Sequence, residues 1–323
     1  MTMAQGKPVR VAVVGARGIG KHHAKWWALE GAVVCGFVGT TKESVARTRE
    51  VLLRLFGLDI EGYTNLETLL DAAAPEFVDV CSPPAWHLAH ARAAINAGCH
   101  VLCEKPLVYD ESLSSDAMLA EARGVLALAE EKGKLLGVCT QYSAGAAVFA
   151  RVWKEQRGNE PIAHYYGHLE SPARDRPADP GRVWVDLAPH PLSVLIHLVP
   201  EARVDWSTLD IHFGGYEAHA TFEVRRPSVA PIRCEIVTRN ATKPPLNVRR
   251  FKLNGYPFVV EGEQDEQGVY RARIETPDGR YHEPDMMHQM IRAMLAGCPI
   301  AAGREALDNL EWMLQILDFA REK

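Results

Sequence analysis

Residues 9–14, Val-Arg-Val-Ala-Val-Val, form a β-branched run that passes directly into Gly15-Ala16-Arg17-Gly18-Ile19-Gly20 and then into a helical stretch through Trp26 and Leu29. The order is strand, glycine turn, helix. Such a turn brings backbone close to a pyrophosphate, whose charge meets the N–H groups at the helix start. Against the pattern G-x-G-x-x-G, Gly15 and Gly20 match, Arg17 takes the middle position and Gly18 comes one residue late. A glycine trio alone also describes an ordinary tight turn; the strand before it and the helix after it favour dinucleotide binding.

The same alternation continues. Strands are expected at 32–38, 77–81, 101–104 and 135–139, with helices at 43–55, 66–73, 87–98 and 112–132 between them. Strands alternating with helices imply a parallel, doubly wound sheet. From Pro161 the texture changes to strand runs at 162–170, 204–213, 218–225, 232–238, 248–253, 258–261 and 269–274, several joined by hairpin turns such as Asn254-Gly255 and Asp278-Gly279. Helices at 284–296 and 304–321 close the chain. The expected architecture is α/β: an N-terminal Rossmann domain over 1–140, then an α+β domain over 141–323 with a large, mainly antiparallel sheet, which binds substrate and oligomerises.

Composition narrows the function. The 323 residues carry a net charge of -5, with 36 basic against 41 acidic side chains, so no broad basic surface awaits nucleic acid or anionic lipid. Seven scattered cysteines, mostly inside apolar runs, read as reduced thiols. The sequence opens without the apolar core of a signal peptide, and no stretch nears the roughly 20 apolar residues of a membrane span. A cytoplasmic location is expected.

Two constellations carry chemistry. Val101-Leu102-Cys103-Glu104-Lys105-Pro106 reads as a buried strand ended by a proline that has no N–H to donate. Lys105 is thus fixed at a strand mouth, the edge where open α/β sheets bind ligands. There an ammonium can stabilise a developing alkoxide or move a proton; the plainer alternative is a surface ion pair with Glu104. The preceding strand stops at Ser82-Pro83-Pro84, whose mouth faces the same crevice, and His87 opens the next helix. In Asp186-Leu187-Ala188-Pro189-His190 an acid and an imidazole four residues apart share one helix face, with Pro189 suited to a first turn. A helix cap beside an unremarkable histidine, or half a metal site, would look the same. No further ligands stand at matching spacing, and His22-His23 and His164/His168 form no motif, so no metal is expected.

Together these residues resemble the Gfo/Idh/MocA oxidoreductases, over nearly the whole chain and most specifically from Cys81 to Leu107. The resemblance implies a Rossmann domain and a second domain whose open sheet often packs against another subunit. It also implies that Lys105, Asp186 and His190 are the active-site set, with Glu104 and Pro106 shaping the nicotinamide side. Three departures touch the substrate side: Gly181-Arg182-Val183-Trp184-Val185 replaces a glycine-rich approach, Ser193 stands for a second Asp, and Tyr142-Ser143-Ala144 lies where a basic residue is frequent. Gln141, Tyr142, Arg182 and Trp184 are the candidate substrate residues.

The expected activity is an NAD(P)-dependent dehydrogenase or reductase acting on a secondary alcohol or ketone of a sugar, polyol or related compound. His190 is the candidate acid/base, Asp186 its orienting partner and Lys105 the alkoxide-stabilising cation. Candidate cofactor contacts are Gly15, Arg17, Gly18, Ile19, Gly20, Thr40, Thr41, Lys42, Ser82, Pro83, Pro84, His87, Glu104 and Lys105. The second strand ends in Gly39-Thr40-Thr41-Lys42 rather than in a carboxylate, which favours NADP over NAD. Rival readings are a redox-neutral, NAD-dependent glycosidic cleavage and a cofactor-binding regulator that never turns over. A sheet with helices for one side only implies an apolar face that a homodimer or homotetramer would bury.

Overall fold

The computed structural model describes residues 7–264, 266 and 270–322; Val269, the first residue of the expected strand 269–274, lies outside them. The chain divides into two compact units. The first comprises Met1–Cys139 with Met290–Gly303, the second Thr140–Gln289 with Arg304–Lys323.

In the first unit the order is β1 (Arg10–Val14), α1 (Gly20–Leu29), β2 (Val33–Val38), α2 (Lys42–Phe56), β3 (Gly62–Tyr63), α3 (Leu66–Ala73), β4 (Phe77–Val80), α4 (His87–Asn96), β5 (His100–Glu104), α5 (Ser115–Glu131) and β6 (Leu136–Cys139). The strands form one sheet in the order β3-β2-β1-β4-β5-β6, every pair parallel. This is a Rossmann sheet, with its crevice where the order reverses between β1 and β4. Strands buried on both faces need continuous apolar runs, and β1 and β5 supply them: Val11, Ala12, Val13, Val101, Leu102 and Cys103 are all inaccessible. The edge strand β3 has two residues, too short to show a period, and falls where an irregular stretch separates two expected helices. Met290–Gly303 joins this unit because the Val138 N–H donates to the Ala301 carbonyl at 2.7 Å and Gly137 bridges to Ala302.

The second unit contains α6 (Ala146–Arg157), β7 (His164–Pro172), α7 (Pro180–Leu187), α8 (Pro189–Leu198), β8 (Arg203–Gly214), β9 (Glu217–Arg225), β10 (Ile232–Ala241), β11 (Val248–Leu253), β12 (Tyr256–Gln264), β13 (Tyr270–Thr276) and β14 (Gly279–Pro284); α9 (Met286–Leu295) leaves it and α10 (Gly303–Glu322) returns to it. The sheet runs β14-β13-β12-β11-β7-β10-β9-β8, and only β7 and β10 are parallel. β14 is charged and has no apolar alternation, and it was not expected; only its last residue, Pro284, falls within the helix expected over 284–296. α7 lies over β8, β9 and β10, and α8 over β7.

Alternation along these strands assigns the two faces. Tyr165, Leu169, Phe222, Cys234, Ile236, Phe251 and Phe258 point to the helices and are buried. The opposite face mixes half-buried apolar side chains, Tyr166, Val237 and Val259, with ion pairs: His219 with Glu235 at 3.1 Å, His168 with Glu170 at 2.9 Å, Arg239 with Glu170 at 2.6 Å, and Arg273 with Glu263 at 3.0 Å. Opposed charges across neighbouring strands satisfy one another. Among the described residues no helix is long and apolar enough to cross a membrane.

Candidate active site

The glycine turn is built by backbone crowding. Gly15 has φ +91°, and a Cβ there would lie 2.7 Å from the Cys81 carbonyl oxygen. A Cβ on Gly20 would lie 2.5 Å from the Gly15 carbonyl oxygen, so the first and last glycines are fixed by the fold itself. At Gly18 a Cβ would meet nothing within 4 Å. That open side, with Arg17 and Ile19 exposed beside it, stands at the start of α1, which has no side-chain cap. Uncapped N–H groups and the helix dipole suit an anion, so the turn fits a dinucleotide pyrophosphate.

At the end of β2, Thr41 caps α2: its hydroxyl accepts the Ser44 N–H at 3.1 Å and the Ser44 hydroxyl accepts the Thr41 N–H at 3.0 Å. Thr40 Oγ1 is 3.3 Å from Ser44 Oγ. Lys42 and Glu43 are exposed. The Glu43 carboxyl is held below its ordinary value by its own backbone N–H and by the Thr41 hydroxyl, which places a carboxylate beside Lys42.

Pairing of β4 with β1 and β5 brings the loops after these strands side by side. Ser82, Pro83 and Pro84 follow β4 and keep exposed or half-buried surface. His87, expected to touch the cofactor, is 1% exposed and serves the loops instead. Its Nδ1 lies 2.8 Å from the Pro106 carbonyl and its Nε2 2.7 Å from the Ser82 carbonyl, which ties the ends of β4 and β5 together. Burial pushes its pKa down against both carbonyls. Lys105 is half-buried, joined to Pro106 by a cis peptide bond, and its N–H donates to Glu104 Oε2 at 3.2 Å.

Beneath Lys105 lies a buried polar network with no spacing signal in the sequence. Asp79 of β4, fully buried, accepts from Trp27 Nε1 at 2.6 Å, His23 Nδ1 at 2.9 Å and Cys81 Sγ at 3.3 Å. The other imidazole nitrogen, His23 Nε2, is 3.1 Å from Glu104 Oε1. Burial lowers the His23 pKa, but Asp79, Cys81 and Cys139 together outweigh it and the imidazole is raised well above its ordinary value. For Glu104, burial raises the pKa, while the bond and charge of His23, then Lys105, hold it at about 2. His23, Glu104 and Cys139 offer ligand atoms within 4.8 Å of one another, as do His23, Asp79 and Cys81. Burial and the Glu104 charge push the Cys139 thiol to about 12, and burial with Asp79 pushes Cys81 well up, so both thiols are protonated hydrogen-bonding groups here.

In the second unit, the single helix expected over Asp186 to His190 is two. Pro189 and Pro191 lack N–H groups and interrupt the hydrogen-bond ladder, although Ala188 keeps helical angles of φ -64° and ψ -30°. Asp186 at the end of α7 is partly exposed and 4.0 Å from Arg176. His190 in the first turn of α8 is 8% exposed. Its neighbours are pinned from both sides: Tyr165 of β7 donates to the Pro191 carbonyl at 2.7 Å and Asn309 of α10 to the Pro189 carbonyl at 2.7 Å. Gly167 lets α8 come this close, since a Cβ there would lie 2.6 Å from Pro191 Cβ.

The candidate substrate residues diverge. Tyr142 stands edge-on to His190, ring centroids 5.2 Å apart. Arg249 of β11 donates to the Tyr142 hydroxyl, so a cation absent from the Tyr142 segment arrives from a strand 107 residues away. Gln141 is half-buried beside it and Arg182 is exposed on α7. Trp184 is inaccessible, donates its indole N–H to the Met313 carbonyl at 3.0 Å, and belongs to the core. Ser193 meets Thr140 across 2.8 Å.

Residues 9–140 match the oxidoreductase family model described as an NAD-binding Rossmann fold, GFO_IDH_MocA. This segment is similar to the nucleotide-binding domain of the Gfo/Idh/MocA family. Among curated relatives, D-glucoside 3-dehydrogenase of Escherichia coli is 35% identical over 104 residues, which is 31% of this chain and 27% of that protein; the chain thus spans about a quarter of that relative's length. The fold extends further. An inositol dehydrogenase homolog from Azotobacter vinelandii, solved with NADH and myo-inositol, superposes with TM-score 0.72 at 17% identity over 97% of this chain and 96% of that one. A 3-ketoreductase from Actinomadura kijaniata, solved as a variant with TDP-benzene and NADP, gives TM-score 0.65 at 18% identity over 98% of each chain.

Proposed function

We propose that the protein is an NAD(P)-dependent oxidoreductase that moves a hydride between nicotinamide and the carbinol carbon of a sugar, polyol or related compound. The observation that carries this reading is the common edge of the parallel sheet, where the Gly15 turn, Ser82-Pro83-Pro84 and Lys105 follow the adjacent strands β1, β4 and β5. At roughly 5 Å per strand, Lys105 stands about 10 Å from the end of β1, a span suited to a dinucleotide held by its pyrophosphate at the turn. Relatives that act on glucosides and inositol support the substrate class.

When bound, the nicotinamide supplies or takes up the hydride. Lys105, fixed at the end of β5, supplies positive charge to the reacting oxygen and lowers the cost of an alkoxide. His190, held by its pinned neighbours, exchanges the hydroxyl proton, and Asp186 orients it. Tyr142 with Arg249 shapes the surface beside His190 and contributes to substrate choice. Self-association as a homodimer or homotetramer is proposed through the open face of this sheet, where Tyr166, Val237 and Val259 stand among the ion pairs. The test of the activity is turnover of a panel of sugars and polyols with each cofactor, followed by nicotinamide absorbance; absence of turnover across the panel would reject it.

For the cofactor, the exposed Lys42 favours a 2′-phosphate and the carboxylate of Glu43 opposes one. NADP is proposed over NAD on the strength of Lys42. Dissociation constants of both cofactors in wild type and Lys42→Ala decide it: an NADP preference that collapses in the variant is expected, and tighter NAD binding unmoved by the change would refute it.

A further inference from the structure

We propose that His23 is a positioning residue that acts on Lys105 through Glu104. The proposal rests on the reading of Lys105 as the alkoxide-stabilising cation, and it adds a buried residue of α1. A chain of polar contacts links the two. Asp79 of β4, fully buried, fixes the imidazole by its Nδ1 at 2.9 Å and is itself fixed by Trp27 at 2.6 Å. The imidazole then reaches the last residue of β5, with Nε2 3.1 Å from Glu104 Oε1. The second carboxylate oxygen, Glu104 Oε2, accepts the backbone N–H of Lys105 at 3.2 Å. One carboxylate therefore has an oxygen within ion-pair distance of His23, without hydrogen-bond geometry between them, and an oxygen that accepts the N–H of the residue that follows the strand.

The physics gives His23 this role as a cation. A glutamate whose side chain is only 15% exposed stays ionised where a counter-charge and hydrogen bonds replace lost water. The groups facing His23 are Asp79 and Cys81 at the end of β4, Glu104 of β5 and Cys139 of β6; Trp26 and Trp27 flank it on α1. Two carboxylates against thiols that stay protonated favour the imidazolium. Because its folded pKa is raised, His23 contributes stability that is present at low and neutral pH and is lost as pH rises through the folded value. Glu104 is the mirror case: its contribution stands above the ordinary carboxylate range and is lost as pH falls toward about 2. Between these limits the Lys105 N–H keeps an ionised acceptor.

The test uses the full-length protein, His23→Gln, Glu104→Gln and the double variant. Nitrogen-15 NMR of the imidazole is expected to show His23 protonated at pH 7 in wild type and deprotonating at lower pH in Glu104→Gln. The Lys105 amide resonance is expected to move in His23→Gln, although the two residues are 82 positions apart. With an alcohol substrate, each single variant is expected to lose on the order of 10- to 10²-fold in kcat with little change in KM, and His23→Gln is expected to keep its cofactor affinity. The double variant is expected to be no worse than the worse single one, since both changes cut the same chain. A neutral His23 at pH 7, a Lys105 amide indifferent to His23→Gln, or additive losses would each overturn the proposal. Should no alcohol be turned over, the proposed function fails by that result alone, while the two NMR readouts still decide the link from His23 to Lys105. They also decide it should His23→Gln fold poorly, because the protonation of His23 is read in wild type and in Glu104→Gln.

Discussion

Lys105→Ala and His190→Ala are each expected to lower turnover by roughly 10²-fold or more, the scale of electrostatic and acid–base contributions, with cofactor affinity little changed. The expectation separates binding from chemistry. The turn that fits a pyrophosphate is set by Gly15 and Gly20, whose backbone crowding does not involve either side chain. Lys105 follows β5 with its own N–H on Glu104, and His190 lies between two carbonyls bonded by Asn309 and Tyr165. Both side chains are thus on held backbone, which is what a group acting on a reacting oxygen requires. Steady-state kinetics and cofactor titration of both variants check this. Turnover near wild type in both would remove them from the chemistry.

Asp79→Ala is expected to destabilise the first unit by about 3–5 kcal/mol, the scale for removing one partner from a buried ion pair. Three donors converge on this carboxylate, and none of Asp79, His23 or Trp27 has accessible surface. Truncation strands an imidazolium and an indole N–H with no water to replace the lost acceptor. Denaturant unfolding followed by Trp fluorescence should show the midpoint fall with little change in slope. A loss below about 1 kcal/mol would mean that the network relaxes and that Asp79 does not anchor His23.

The fold was legible where its pattern is local. Apolar runs marked β1, β4, β5 and β6, and alternation marked β7, β9 and β10, because burial on two faces or one leaves a period in the chain. β3 and β14 escaped for opposite reasons, one too short and the other too polar. The break between α7 and α8 lay open in Pro189 and Pro191, yet periodicity alone continues across Ala188.

The glycine turn and Lys105 were legible because each ends a strand, whereas the spacing that marked Asp186 and His190 as one helix face is divided between α7 and α8. What escaped depends on pairs distant in sequence. His23 to Asp79 spans 56 residues and Tyr142 to Arg249 spans 107, and nothing local announces either partner. A single aspartate inside the apolar run Phe77–Val80 was the one available signal, since a buried charge requires partners. Trp184 misled for the complementary reason: an aromatic beside a candidate acid reads as a substrate contact, whereas its indole faces Met313 in the core.

The central claim, net hydride transfer from a carbinol carbon, is tested most directly with a substrate deuterated at that carbon. An alcohol identified from the sugar and polyol panel would be incubated with oxidised cofactor and wild-type protein, and the cofactor recovered. The account predicts reduced nicotinamide carrying the deuterium in an amount equal to the ketone formed. Product appearing without net reduced cofactor, or with the label retained in the product, would contradict it and favour redox-neutral chemistry at the same site.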